Sequence, residues 1–381
     1  MPDNKRLLYS SYGVGIARAG GTGYVPVSGL QSLGVDTTFN LDTVFQLGEL
    51  DLLDNPETIP AVECTMEQVL CGAGLISSLA TPAATTGTLV GRFSTERCNI
   101  AVGYWSEDTN IVGTGTGYSA APSGTLLMSG MYVNSINFNF PVDGNFTQSV
   151  TFVGNDKVWV YGTGLAAASH VVPTGYTPVN FGGEIDSTGV RRRYNWNPTG
   201  SILPRSLPGV RPIAAFNASL PASGQSATGE DGGYLPRIQS IQVSTDFGRP
   251  EIFQLGFRAP YHRYIDFPVE VNTTFEIIAR AGDRQAISAS SANLVNEPII
   301  IGLYDGTVLD LGLKNKLTSI SESGGDTGGG NRTQTFTYVN YNFLYIRDPN
   351  DVAPNVNTMR LSTGGTATSV NVANAFSGPP T

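Results

Sequence analysis

The sequence predicts a mainly β protein built from two diverged copies of one module in tandem, with little helix. Three observations predict it: a turn-rich, charge-poor composition, stretches of strict apolar–polar alternation, and an internal repeat. The chain has 381 residues, with 46 Gly and 23 Pro but only 14% charged residues. That balance disfavours long solvated helices and favours strands joined by many turns. It is not the composition of a disordered chain, because 40% of residues are apolar and 9% aromatic, enough to fill a core.

The repeat organises everything else. Residues 30–60 (LQSLGVDTTFNLDTVFQLGELDLLDNPETIP) and 238–268 (IQSIQVSTDFGRPEIFQLGFRAPYHRYIDFP) align at an offset of 208 with ten of 31 positions identical. The longest shared block is Phe45-Gln46-Leu47-Gly48, repeated as Phe253-Gln254-Leu255-Gly256. Further on, NFTQSVTFV (145–153) answers NRTQTFTYV (331–339), and VNSI (133–136) answers LTSI (317–320). Each copy therefore has the length of an ordinary domain. The division is an N-terminal arm over 1–29, a first module over 30–153, an insertion or linker over 154–237, a second module over 238–346 and a tail over 347–381.

Alternation supplies the strands. Val269, Val271, Thr273, Phe275 and Ile277 alternate with Glu270, Asn272, Thr274 and Glu276, the pattern of a strand with one buried face and one wet face. Val133–Phe140 alternates likewise, Pro141-Val142-Asp143-Gly144 reads as a turn, and Asn145–Val153 returns as the second arm of a hairpin. The matching turn of the second copy is the longer Gly-rich stretch Gly324–Asn331. A short helix is expected around Ala73–Ala80, with Leu75, Ile76 and Leu79 on one face. Gly48 and Gly256 are expected at a tight bend required in both copies.

Chemistry is sparse. The two histidines, His170 and His262, sit in unlike contexts, and neither H-E-x-x-H nor G-x-S-x-G occurs. Gly13-Val14-Gly15 and the glycines of 113–117 lack the strand-to-helix setting of a phosphate loop, and no Gly-Lys-Ser/Thr exists. Asp51, Asp54, Glu57 and Asp305 do not have calcium-loop spacing. Cys64, Cys71 and Cys98 form neither a disulfide framework nor a zinc ribbon. No catalytic residue, metal or cofactor is expected. The start has no apolar leader, and no run approaches the length of a membrane span. Synthesis in a cytosol and no membrane partner follow as expectations. The net charge of −9 opposes tight binding to nucleic acid. Arg191-Arg192-Arg193 is the one basic run; it reads either as a solvated face or as a candidate contact between subunits.

Three stretches carry a resemblance. The F-Q-L-G block with the following PYHRYIDFPVEV (260–271), the segment FPVDGNFTQSVTFVGNDKVW (140–159), and Arg191-Arg192-Arg193 followed by Ile202-Leu203-Pro204 and Pro208-Gly209-Val210 resemble tail-tube proteins of long-tailed bacteriophages. The resemblance touches both modules and the insertion. It implies a small antiparallel β-barrel or sandwich module with a flanking helix, six modules per ring, and rings stacked into a virion tube that conducts DNA without specific binding. Related modules serve contractile tails, secretion-system tubes and baseplate hubs. A two-module chain implies three chains per pseudo-sixfold ring, with hexamers of chains as the other possibility. It also implies sheath, baseplate and terminator proteins as partners, and production in a bacterial host. Under this resemblance Phe45–Gly48, Phe253–Gly256 and Arg191–Arg193 are the candidate assembly residues. The alternatives are a trimeric baseplate hub or tail-completion protein of the same fold and, further off, a receptor-binding tail protein or a capsid decoration protein.

Overall fold

The computed structural model describes residues 12–18, 24–39, 41–48, 50–56, 59–80, 88–89, 97–105, 122, 124–161, 189–198, 200–204, 206–207, 237–257, 260–278, 296–324, 331–348 and 358–360. In the first half the elements are β1 (Tyr12–Arg18), β2 (Val25–Pro26), β3 (Leu30–Thr38), β4 (Val44–Phe45), β5 (Leu52–Asp54), β6 (Ala61–Val69), α1 (Ile76–Ala80), β7 (Thr88–Leu89), β8 (Cys98–Tyr104), β9 (Gly124–Pro141), β10 (Thr147–Gly154) and β11 (Asp156–Tyr161). The second half contributes β12 (Ile238–Asp246), β13 (Glu251–Ile252), β14 (His262–Arg263), β15 (Glu270–Ile278), β16 (Ile300–Gly302), β17 (Val308–Asp310), β18 (Lys316–Ser323), β19 (Thr333–Tyr341), β20 (Tyr345–Arg347) and β21 (Thr358–Arg360). The protein is mainly β, as its composition and alternation predict.

The repeat is visible as repeated strand order. The first copy runs β9-β10-β6-β3 and the second runs β18-β19-β15-β12. Even the irregularities recur. The β3–β6 pairing slips by one residue between Leu30 and Ser32, and the β12–β15 pairing slips between Ile238 and Ser240, the same step of the repeat. A second slip leaves Asn134 unpaired against β10 and Thr318 unpaired against β19, again at matching positions. A bulge re-aims side chains and strengthens the local twist, so its retention in both copies preserves one sheet curvature twice.

What the sequence did not show is that the two copies share one sheet. β9 pairs along its outer edge with β12, from Ser240 against Pro141 to Asp246 against Ser135. The result is a single path of eight strands, β18-β19-β15-β12-β9-β10-β6-β3, within a 12-stranded sheet. One contiguous core lies along it, and matching positions bury different residues: Met66 against Phe275, Val150 against Phe336, Phe152 against Tyr338, all fully enclosed. Such volume exchange is tolerated where patterning is kept.

The copies differ where β9 does not. Its 18 residues run unbroken, pairing with β8 and β11 at one end and with β10 and β12 at the other. The second copy splits the same path into β17 and β18, and β17 pairs with β16 and β20 in a smaller sheet. At the split, buried Asn315 donates to the carbonyls of Glu297, Leu311 and Gly312, while Asn340 donates to the Asn315 side chain at 2.9 Å. These bonds take over backbone groups that a continuous ladder would have satisfied.

Several sequence boundaries shift. β1, inside the segment read as an arm, forms a seven-residue ladder with β8. β11, inside the segment read as an insertion, pairs with β9. Within 189–207, Arg191 bonds through its backbone to Leu70 and Phe146 of the first copy, whereas Trp196, Ile202 and Ser206 reach Leu303, Ile300 and Tyr338 of the second. In the segment read as a tail, Asp348 is buried and its carboxylate accepts the Leu75 N–H at 2.6 Å. The helix is shorter than its pattern suggested, with five residues, all buried. Its free N–H groups are met by Asp348 and by Gln68, whose Oε1 accepts from Ile76 at 3.1 Å.

Candidate functional site

The candidate site is built from three features: the joint where the copies meet in the large sheet, the two edges left at the ends of its path, and the paired F-Q-L-G hairpins, each a small two-stranded sheet of its own. At the joint the extra residue of the β9 bulge becomes a clasp. The Asn134 carbonyl accepts the Phe247 N–H at 2.7 Å and its side-chain oxygen accepts the Arg249 N–H at 3.2 Å. Arg249 Nε donates to the Val133 carbonyl at 3.0 Å, and its guanidinium lies over the rings of Tyr132 and Phe247 at 5.3 and 5.9 Å. Beside it Arg263 pairs with Glu251, and Asn155 bridges them, donating to Glu251 at 2.9 Å and accepting from Arg263 at 3.1 Å. The second hairpin, β13–β14, is thereby docked onto the first copy.

His262 belongs to this joint. Its ring meets Tyr132 and Tyr264 edge to face, with centroids 6.3 and 4.4 Å away, and Tyr261 lies tilted at 6.4 Å. Burial, reinforced by the cations of Arg97 and Arg249, holds its pKa below the ordinary 6.5. The unfolded chain therefore binds more protons than the folded one between the two values. The stabilisation is complete above about pH 6.5 and is lost as the pH falls from there through the lower folded value. The expected result is a thermal midpoint that drops between about pH 7.5 and about pH 5.5, with the drop reduced in His262→Phe, which keeps the edge-to-face packing. An equal drop in both proteins would assign the acid sensitivity to other groups.

Among the described residues, the joint has a counterpart along which no strand pairs. β3 is the repeat equivalent of β12, and β18 is the equivalent of the joint half of β9; among the described residues these two strands end the eight-strand path. Phe247 is fully buried at the joint, whereas its equivalent Phe39 is 69% exposed. Around β4–β5, Leu41, Leu52 and Leu53 are exposed as well. Exposed backbone along a sheet edge is a template for another strand, and here it is bordered by apolar side chains.

Both F-Q-L-G blocks sit at hairpin tips. Gly48 and Gly256 have φ of +97° and +88°, with open space where a Cβ would point. The shared glycine thus serves backbone conformation rather than close packing. Leu47 and Leu255 are wholly exposed, and Phe45 and Phe253 are 67% and 59% exposed. The four-residue identity is therefore not a core requirement. Gln46 and Gln254 are exposed beside them.

The basic run divides. Arg191 is buried, its Nε 2.7 Å from Asp305, and its backbone bonds to Leu70 and Phe146. It is engaged inside the chain and is not part of an outward basic patch. Arg192 and Arg193 stay exposed, reaching Asn145 at 2.9 Å and Asp143 at 3.9 Å. Both contacts are too exposed to contribute much stability.

Among the described residues, no three His, Cys, Asp or Glu side chains gather as a metal site, and no helix is long and apolar enough to cross a membrane. All three cysteines are free and buried, and burial pushes the Cys64 thiol up to about 12 and raises Cys98 too. Such thiols are poor nucleophiles. His170, the Gly-rich stretch 113–117 and residues 325–330 of the Gly324–Asn331 turn lie outside the described residues.

No family model and no curated protein matches this chain. Solved structures that match include the cryo-EM structure of the anti-feeding prophage cap, the AFP tube terminating cap, at 12% identity and a TM-score of 0.30, covering 42% of this chain and 95% of that one. A superposition that loose carries no argument about what this protein does.

Proposed function

We propose that this protein is a structural subunit of a bacteriophage tail, and that its chains join head to tail into rings that stack as a DNA-conducting tube. The observation that carries the reading is the joint between its two copies. The chain already makes, within itself, one head-to-tail contact of β9 on β12, and it ends in a second, unfilled pair of equivalents, β18 and β3. Heterologous contacts of this kind repeat from chain to chain and generate rings when the rotation closes. Six modules per ring, taken from the tail-tube resemblance, give three chains.

Other features fit. The chain is acidic, with a net charge of −9, and a conduit without excess positive charge does not hold DNA by its phosphates. Sheath, baseplate and terminator proteins are the partners that such a subunit would meet in the virion. Negative-stain electron microscopy of the full chain, with native mass measurement, tests the proposal. Hollow rings of three chains that stack into tubes support it. Closed trimers that never stack would reassign the chain to the hub or tail-completion position, and a persistent monomer would overturn the ring.

A further inference from the structure

The two ends of the sheet differ from the internal joint in a way that names the contact between chains. Residues 30–60 hold six acidic residues (Asp36, Asp42, Glu49, Asp51, Asp54, Glu57) and no Lys or Arg. The equivalent 238–268 hold three acidic residues and three arginines, and two of those arginines, Arg249 and Arg263, are buried in the joint. At the other end of the path exposed Lys316 opens β18, with exposed Lys314 just before it. One free edge is acidic and the other starts basic.

The repeat converts this into residue pairs. Val44 pairs with Asp54 across the first hairpin as Ile252 pairs with His262 across the second, so Asp54 stands where His262 does. Leu317 stands where Val133 does, by the shared bulge, which puts Lys316 in the place of Tyr132. The polar joint groups are replaced: Arg249 by Leu41 and Asn155 by Tyr341, which are 54% and 59% exposed.

Resting on the ring reading, we propose that the β3–β5 edge of one chain seats on β18 of a second copy, with Phe39, Leu41 and Tyr341 closing an apolar seam and Asp54 pairing with Lys316 in place of the His262–Tyr132 contact. The Phe39 N–H donates to the Thr318 carbonyl, as Phe247 does to Asn134. The occupant is a second copy because the acidic segment that continues from β3 and the lysines at the start of β18 belong to opposite ends of the eight-strand path and are complementary between chains. The in-chain joint is a network of buried arginines, whereas the seam is apolar with one ion pair, so only the seam responds to reversing these charges.

Asp54→Lys, Lys316→Asp and the double reversal, made in the full chain, test this by mass photometry across a concentration series. Both residues are exposed, so the monomer fold is kept. Each single reversal is expected to raise the concentration for half-assembly at least about tenfold, since like charges meeting at an interface are costly. The double reversal returns it to within about threefold of the native chain. Rings that assemble normally from both single variants overturn the seam and leave the ring reading standing. Weakened singles without recovery in the double overturn the Asp54–Lys316 pairing. A native chain that forms no ring at any concentration overturns both.

Discussion

A chain carrying Asp36→Cys and Ser321→Cys is expected to lock into a covalent ring on mild oxidation. At the internal joint Ser244 lies opposite Asn137, and the repeat equivalents of that pair are Asp36 and Ser321. Directly opposed residues on antiparallel strands have Cα atoms about 4.5–5.5 Å apart, within the span of a disulfide. Within one chain the two positions are separated by the eight-strand path, seven spacings of about 4.8 Å along the sheet, so the bond forms only between chains. Both positions are exposed, and the native cysteines are buried and do not compete. Non-reducing electrophoresis should show a ladder ending at three chains. A ladder that continues upward would mean an open filament. Asp36→Cys with Glu322→Cys is the register control: one residue along, the side chain points to the other face of the sheet and linking should fall away. Equal linking by both variants would show that the edges meet without a fixed register.

Truncating the same repeat position in the two copies is expected to give opposite phenotypes. Phe247 is fully buried in the joint, and Phe247→Ala should cost about 3–5 kcal/mol of folding stability, a transfer loss plus a cavity. It also removes the ring on which the Arg249 guanidinium rests, 5.9 Å from its centroid. Phe39 is 69% exposed in the single chain, so Phe39→Ala should leave monomer stability within about 0.5 kcal/mol. Its effect falls instead on assembly, where an aromatic anchor entering a desolvated pocket contributes most of the contact. Urea unfolding of the monomer, set beside assembly measured by sedimentation, separates the two. A Phe39→Ala monomer as weakened as Phe247→Ala would mean that Phe39 already has a place inside its own chain.

The hairpin tips fit the same picture of a surface kept for contact. The core has diverged between copies, with Met66 becoming Phe275 and Phe152 becoming Tyr338, while exposed Phe-Gln-Leu-Gly is unchanged. Burial constrains volume and polarity but tolerates exchange among apolar residues. Two wholly exposed leucines at matching tips have no such internal reason to match.

By itself the sequence determined the strands and the duplication. The alternation over 269–277 became β15, the hairpin read over 133–153 became β9 and β10, and the offset of 208 became two matched sets of strands with the same bulges. These are local properties: a period of two fixes which face is buried, and a repeat needs only self-comparison. Only the tertiary structure decided which edges meet. That β1 pairs with β8, that Arg191 is paired with Asp305, 114 residues away, and that β12 lies on β9 are outcomes of non-local pairing. An edge strand and a joined strand have the same alternation, because the ladder is made by backbone groups that every residue carries. Phe39 and Phe247 therefore occupy the same repeat position and are opposite in burial, and the difference lies in what the fold places beside each of them.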